Sequence, residues 1–214
     1  MPDTLMPRIT RIETLAEEPL LERFRQTRLR GFGQPLIYAQ ARLRLVRNVE
    51  PRTLFPAQRY VLQADHQRLH RLYTSFLQHG HDIFALEGGL QFWIHGEEGE
   101  EEGPIPLTPP LVELSREADG RLLPLINDGM HRVYTAMQLG KTIHIIQADG
   151  VPEQWPYYAF PLANGWDDVE ELAAIPEDYV KKSYRDPDNY KALFRDFNGV
   201  FPGIQKQRQR GIVP

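Results

Sequence analysis

Apolar and polar positions alternate along this chain with two periods, and each period predicts a type of element. The clearest helix is predicted for 64–79, where apolar residues recur at intervals of three and four and Gly80 follows as a stop signal. Alternation or short apolar runs predict strands at 36–46, 111–114, 122–126 and 142–146, and a hairpin of 82–86 and 90–94 around Gly88 and Gly89. With a further helix at 132–139, the order strand, helix, strand predicts a compact α/β unit.

The two ends of the chain have a different texture. A helix is predicted from Ile12 to Leu29, interrupted near Pro19. Beyond Gly150 the chain becomes aromatic and proline-rich, with helices predicted at 168–174, 179–184 and 189–197. We therefore predict an N-terminal helical segment (1–35), a core (36–150) and a helical C-terminal extension (151–214) that packs on the core, because its aromatic residues need burial.

Composition excludes several classes of protein. The 214 residues include no cysteine, which excludes disulfide frameworks, thiolate chemistry and cysteine-based zinc sites, and which fits a reducing compartment. The first eight residues lack an apolar signal core, and no run approaches the roughly 18 apolar residues of a membrane span. A cytoplasmic protein without a membrane partner is expected.

Charge is unevenly distributed although the net charge is only -4. Residues 1–47 carry nine arginines and five acids, which favours either a basic surface for nucleic acid or an ordinary solvated helix. The acidic run 97–102 is predicted to be a solvated loop, and 205–210 a frayed basic tail. The basic and aromatic stretch 179–191 is interpreted first as packing and second as a lid over a nucleotide cleft.

The most informative motif is Asp128-Gly129-Met130-His131-Arg132. It lies between an apolar run and a helical run that stops at Gly140, so it predicts a strand, a glycine turn and a helix N-terminus. Helix N-termini carry free N–H groups and partial positive charge, and an adjacent His and Arg make this a plausible seat for phosphate. The acid would hold a metal or take a proton.

A purely structural interpretation competes with this one. Asp128 would cap the helix, Gly129 would make the turn and Arg132 would pair with an acid elsewhere, which leaves the adjacent His unexplained. His66 and His70 lie one helical turn apart as a possible metal pair, but without an evident third ligand a solvent-facing pair is favoured.

Residues 125–140, together with 49–56 and the helix 64–79, resemble the ParB/sulfiredoxin-like superfamily over roughly 43–150. The resemblance implies an α/β (α+β) fold with a mixed sheet flanked by helices. Sulfiredoxins place a cysteine in this turn, and partitioning proteins carry a Gly-Glu-Arg-Arg-type turn with a separate DNA-binding module. The nearest match is the free-serine-kinase-like branch with its Asp-Gly-His-His-Arg-like turn, in which Met130 replaces the first His.

That branch implies a nucleotide, ATP or ADP or another purine nucleotide, with magnesium on Asp128 and a small-molecule acceptor. The turn from Gly129 through Met130 to Arg132 would bind the nucleotide. Gly129 would allow the phosphate to approach the backbone closely, Arg132 would make bidentate hydrogen bonds to the phosphate oxygens, and His131 would donate a hydrogen bond to one of them. The function implied is nucleotide binding with phosphate transfer or hydrolysis. A nucleic-acid module or nuclease and a non-catalytic structural partner are the alternatives.

One step departs from the branch. Its members carry a Pro-His-Glu-like step with an acid–base Glu, whereas this chain has Pro56-Ala57-Gln58. Gln58 can orient a hydroxyl or water but cannot accept its proton. Either Asp128 or a nearby acid such as Glu50 therefore performs the acid–base step, with His131 as the catalytic donor to a phosphate oxygen, or the chain binds nucleotide without turnover.

Overall fold

The computed structural model describes residues 8–95 and 100–201. Within these ranges the chain forms three α-helices: α1 (Glu17–Arg25), α2 (Gln63–Gln78) and α3 (Met130–Gln138). It forms eleven strands: β1 (Ile9–Ala16), β2 (Arg28–Leu29), β3 (Arg42–Val49), β4 (Tyr60–Leu62), β5 (Gly88–His95), β6 (Glu101–Leu107), β7 (Leu111–Arg116), β8 (Leu122–Asp128), β9 (Ile143–Asp149), β10 (Glu170–Leu172) and β11 (Arg195–Asp196). The predicted mixed α+β fold is confirmed. No helix in the described ranges is long and apolar enough to cross a membrane.

The central sheet has four strands in the order β3-β9-β7-β8. β9 runs antiparallel to β3 and parallel to β7, and β8 runs antiparallel to β7, so the sheet is mixed as expected. The predicted strands 111–114, 122–126 and 142–146 are all present and each is slightly longer. These strands were predictable from short apolar runs, because strands that are buried on both faces of a sheet carry apolar residues at successive positions.

The outer edge of β8 is covered by the chain that precedes β4. The Phe55 N–H donates to the Pro124 carbonyl at 2.8 Å, and the Ile126 N–H donates to the Phe55 carbonyl at 2.9 Å. Pro124 is tolerated here because it lies on the edge strand. This pairing brings the segment 50–58 beside the strand that ends at Asp128.

The second sheet, β1-β5-β6, corrects two predictions. Residues 12–16 are strand rather than helix, because β1 pairs antiparallel with β5, and the helix begins only at Glu17. Gly88 and Gly89 are not a hairpin tip but the first residues of β5. A Cβ on Gly88 would lie 2.2 Å from the Leu15 carbonyl oxygen, so the glycine permits the close approach of β1.

The acidic run is partly strand. Glu101 and Glu102 begin β6, and Glu101 accepts a hydrogen bond from the Thr10 hydroxyl at 2.7 Å, so the predicted loop is wrong there. Residues 96–99 lie outside the described residues, as do 1–7 and the predicted basic tail 205–210.

Helices α2 and α3 share one core with the sheets. Tyr73 and Phe76 of α2 and Val133 and Ala136 of α3 are buried in the same cluster as Ile143. The predicted helix 64–79 is confirmed within one residue at each end. α3 begins two residues earlier than predicted, which brings His131 and Arg132 into its first turn.

The prediction of a helical C-terminal extension is wrong for the described part, 151–201, because this segment contains no α-helix. It forms three 3-10 turns, Gly165–Asp168, Tyr190–Leu193 and Asn198–Val200, and two short strands that pair with β4 and β2. Short isolated helices have marginal stability in water. In this segment the backbone instead forms hydrogen bonds with the strands β4 and β2. Tyr157 and Ala159 are buried against Leu125, so the segment does pack on the core.

Candidate functional site

The turn between β8 and α3 is built around Gly129. This residue has a φ of 86° and is the N-cap of α3, so Asp128 is not the cap that the structural interpretation assigned. A Cβ at position 129 would lie 2.9 Å from both Arg132 Nη2 and Pro110 Cβ. The glycine is therefore required by the left-handed backbone and by the packing behind it, not by an approach from solvent.

Arg132 points inward. It is 9% exposed; Nη1 donates to the Thr108 carbonyl and Nη2 lies 3.5 Å from Asp128 Oδ2. Burial lowers the pKa of Arg132, and the Asp128 carboxylate opposes that shift. The guanidinium thus ties the chain before β7 to the turn, and two of its donor groups are already directed at the protein.

His131 has one shielded and one open nitrogen. Nε2 is buried without a hydrogen-bond partner and lies 3.8 Å from Asp65 Oδ2, whereas 36% of the side chain is exposed. Burial lowers the pKa of His131, while the carboxylates of Asp65 and Asp128 raise it. The net lowering keeps the ring neutral near pH 7.

The side chains of the other predicted site residues have different surroundings. Met130 packs against the core cluster of α2 and α3. The Gln58 amide donates to the Tyr60 carbonyl at 2.8 Å. Glu50 is exposed, and its carboxylate makes no hydrogen bond or ion pair within the described residues. The structure thus clusters Asp128, His131 and Arg132 but shows no contact from Gln58 or Glu50 to them.

A family model described as ParB CE domain matches residues 19–170. The chain belongs to the ParB CE domain family. The matched range includes α2, β8 and α3 and so contains the whole turn. No curated protein matches the chain, and no solved structure matches it. The predicted ParB-like relationship is confirmed, whereas the sulfiredoxin-like and kinase-like branches stay predictions.

In this ParB CE domain, a histidine pair lies beside the turn. His66 and His70 of α2 have their Nε2 atoms 3.1 Å apart, and His66 Nδ1 is 3.6 Å from Glu171 Oε1. Tyr134 donates to the other Glu171 oxygen at 3.1 Å. Burial is the main cause that lowers the pKa of His70, and electrostatic repulsion from His66 lowers it further. Both rings are partly buried, so the predicted solvent-facing pair is wrong.

Sequence reasoning missed Asp65 and Glu171 as neighbours of these histidines. The spacing of His66 and His70 as one helical turn is visible in the sequence, but it carries no information on which groups of other elements approach them. The approach of Asp65 to His131 arises only because α2 packs on α3. The pairing of β10 with β4 places Glu171 beside His66. No local pattern encodes either approach.

No group of three or more histidines or acids within 8–95 and 100–201 is arranged to hold a metal ion by itself. Magnesium needs fewer protein ligands than such a group supplies, since it is commonly held by one or two carboxylates together with substrate phosphates. The Asp128 side chain is 53% exposed and its one ion-pair contact is long, at 3.5 Å. Asp128 therefore fits magnesium held jointly with a phosphate.

Four of the N-terminal arginines, Arg11, Arg25, Arg42 and Arg47, form ion pairs with acids of the same chain. The Arg25 guanidinium lies 2.9 Å from Glu22, and the Arg42 guanidinium lies 2.6 Å from Asp149. Arg47 bridges Glu17 and Glu87, whose hydrogen bonds raise its pKa. Pairing reduces the net positive charge that these four guanidinium groups present to a nucleic-acid phosphate backbone, so the nucleic-acid interpretation stays a prediction.

Proposed function

We propose that this ParB CE domain protein binds a purine nucleotide, such as ATP or ADP, with its phosphates at the N-terminal end of α3. The observation that supports this best is the first turn of that helix, where the exposed carboxylate of Asp128 is followed by the partly exposed side chain of His131. The opening N–H groups of an α-helix lack intrahelical partners and favour anions. The turn is held in shape from behind by Arg132 and Pro110.

Arg132 takes a different part in this proposal from the one implied by the resemblance. With Nη1 bound to the Thr108 carbonyl, it holds the turn and lends positive charge from behind it. Backbone N–H groups of Met130 and His131 would then contact the phosphate directly. Met130 anchors that backbone through its packing on the core.

Asp128 would hold a magnesium ion together with the phosphate oxygens. The ion, when bound, would neutralise charge on the phosphates. A transferred or hydrolysed phosphate is the finer part of the proposal, with a small-molecule acceptor or water as the second substrate. Phosphoryl transfer demands mainly positioning and charge neutralisation, which suits a turn with few but fixed groups.

Calorimetric titration with ADP, ATP, CTP and GTP, with and without magnesium, tests the binding. We expect a purine nucleotide to bind in the micromolar to millimolar range and more tightly with magnesium. Asp128→Asn should remove the magnesium dependence without changing the fold, because its carboxylate is exposed. Asp188→Asn, an exposed acid in the C-terminal segment, should bind like the wild type. If no nucleotide binds to well-folded protein, the proposal is wrong.

A further inference from the structure

We infer that His131 is the acid–base group of this site, that Asp65 is its positioning residue, and that the group it deprotonates is a hydroxyl, either of an alcohol or of water. The inference rests on the nucleotide binding proposed above and deepens it. It also answers the question left by Gln58, whose amide donates to the Tyr60 carbonyl and has no proton-accepting role.

Asp65 is placed by the packing of two helices. It lies in the first turn of α2, and its Oδ2 is 3.8 Å from His131 Nε2 in the first turn of α3. Its Oδ1 accepts a hydrogen bond from Arg68 at 3.2 Å, which orients the carboxylate so that the second oxygen faces the imidazole. A closure of about 1 Å between the helices would complete the hydrogen bond.

The two nitrogens of His131 have opposite surroundings. Nε2 is buried, makes no hydrogen bond and lies 3.8 Å from Asp65 Oδ2, whereas the side chain as a whole is 36% exposed, so its exposed surface lies away from Nε2. A proton on Nε2 would face Asp65, whose Oδ2 lies 3.8 Å away. The lone pair of the neutral ring is then on Nδ1.

The charges around the imidazole keep it usable as a base. Burial lowers the pKa of His131; Asp65 on α2 and Asp128 at the end of β8 raise it, and His66 and Arg132 lower it further. The ring is therefore neutral at pH 7, and the Asp65 carboxylate stabilises the imidazolium that forms when it takes a proton, since Asp128 is occupied by magnesium in the loaded site. Glu50, by contrast, is exposed, and no hydrogen bond or ion pair orients its carboxylate within the described residues.

The reaction balances without any further reactant. The hydroxyl proton passes to His131 Nδ1 as the hydroxyl oxygen forms a bond to the γ-phosphorus of ATP. The bond from that phosphorus to the β–γ bridging oxygen breaks, and ADP leaves with the electron pair. The imidazolium then releases its proton to solvent. An alcohol yields a phosphate ester, whereas water yields inorganic phosphate.

The tautomer and pKa of His131 can be measured without turnover. Long-range proton–nitrogen spectra of the ¹⁵N-labelled protein, with His131 assigned by its loss in His131→Gln, should place the neutral-state proton on Nε2. Asp65→Asn should lower the pKa of His131 by about one unit, because the opposite charge facing it is gone. Asp188→Asn should leave it unchanged. A proton on Nδ1, or a His131 pKa that ignores Asp65→Asn, overturns the assignment.

Turnover is measured with the same variants on magnesium-ATP, first with water alone and then with a panel of alcohols. ADP should be released, with inorganic phosphate in the first case and a phosphate ester where the alcohol is the acceptor. His131→Gln and Asp65→Asn should lower kcat by about 10²-fold or more while binding ATP within twofold of wild type. His79→Gln, an exposed histidine at the end of α2, is the control and should keep full activity.

The two proposals fail in different ways. Absence of nucleotide binding contradicts the proposed function, whatever His131 does. Wild-type protein that binds ATP but releases no ADP above background, with water present throughout, overturns only the acid–base role. In Asp65→Asn the acidic limb of the kcat profile should move to lower pH, which a loss of stability alone would not produce.

Discussion

Glu113 and Arg195 form a two-point ion pair in the interior, with Nε 2.9 Å from Oε1 and Nη2 2.9 Å from Oε2. Only 2% of Glu113 and 6% of Arg195 are exposed. The Tyr38 hydroxyl donates to the same carboxylate at 2.5 Å, and burial together with Glu113 raises the Tyr38 pKa well above its ordinary value. Asn127, next to Asp128, also donates to Glu113. The pair thus joins the C-terminal segment to β7, and Asn127 connects the pair to β8, the strand that ends at Asp128.

Glu113→Gln should destabilise the protein severely, because it leaves the Arg195 charge buried and unpaired. A loss of about 3–5 kcal/mol is expected from breaking one side of a buried pair. Urea unfolding followed by tryptophan fluorescence measures it. The matched control is Asp149→Asn, which breaks the surface pair with Arg42 and should cost less than about 1 kcal/mol. Equal losses in the two variants would contradict a special role for the interior pair.

Gly129→Ala should cost more than Gly140→Ala, although both residues have positive φ, 86° and 63°. A Cβ at Gly140 meets nothing within 4 Å, so only backbone strain of about 1–2 kcal/mol applies. At Gly129 the Cβ meets Pro110 and Arg132 at 2.9 Å, which should add about 1–3 kcal/mol of overpacking. Parallel unfolding curves of the two variants decide this, and similar losses would mean that the turn relaxes freely.

Arg132→Met should lower stability by about 1–3 kcal/mol, since it leaves the buried Thr108 carbonyl without its donor. Arg52→Met is the control, because Arg52 is exposed and should change stability by at most about 0.5 kcal/mol. Differential scanning calorimetry of both variants measures the difference. An unaltered melting temperature for Arg132→Met would restore the interpretation of Arg132 as a free phosphate ligand.

Acidification should destabilise the protein through His131 and His70. Burial lowers the pKa of both side chains in the folded protein, so protons bind preferentially to the unfolded chain as the pH falls below the ordinary value of about 6.5. Stability should be level from pH 8 to 7 and decline towards pH 5.5. His131→Gln should flatten that decline in urea midpoints, and His79→Gln should not. A midpoint that rises on acidification would refute the sign.

Several elements follow from local sequence. The amphipathic spacing around Phe76 predicts α2, and short apolar runs predict β7, β8 and β9. The turn at Gly129 was predictable because a strand, a glycine and a helical run follow one another directly. The helix predicted over Ile12 to Ala16 failed because pairing with β5 overrode local preference.

Local sequence was enough to place Asp128, Gly129, His131 and Arg132 in one turn, since neighbours in the chain stay neighbours in space. Packing between distant elements is what turns Arg132 inward to Thr108 and brings Asp65 opposite His131. It also brings Arg195 to Glu113 across 82 residues. These contacts depend on how helices and strands pack, and side-chain periodicity within one element carries no information on which distant element will cover it.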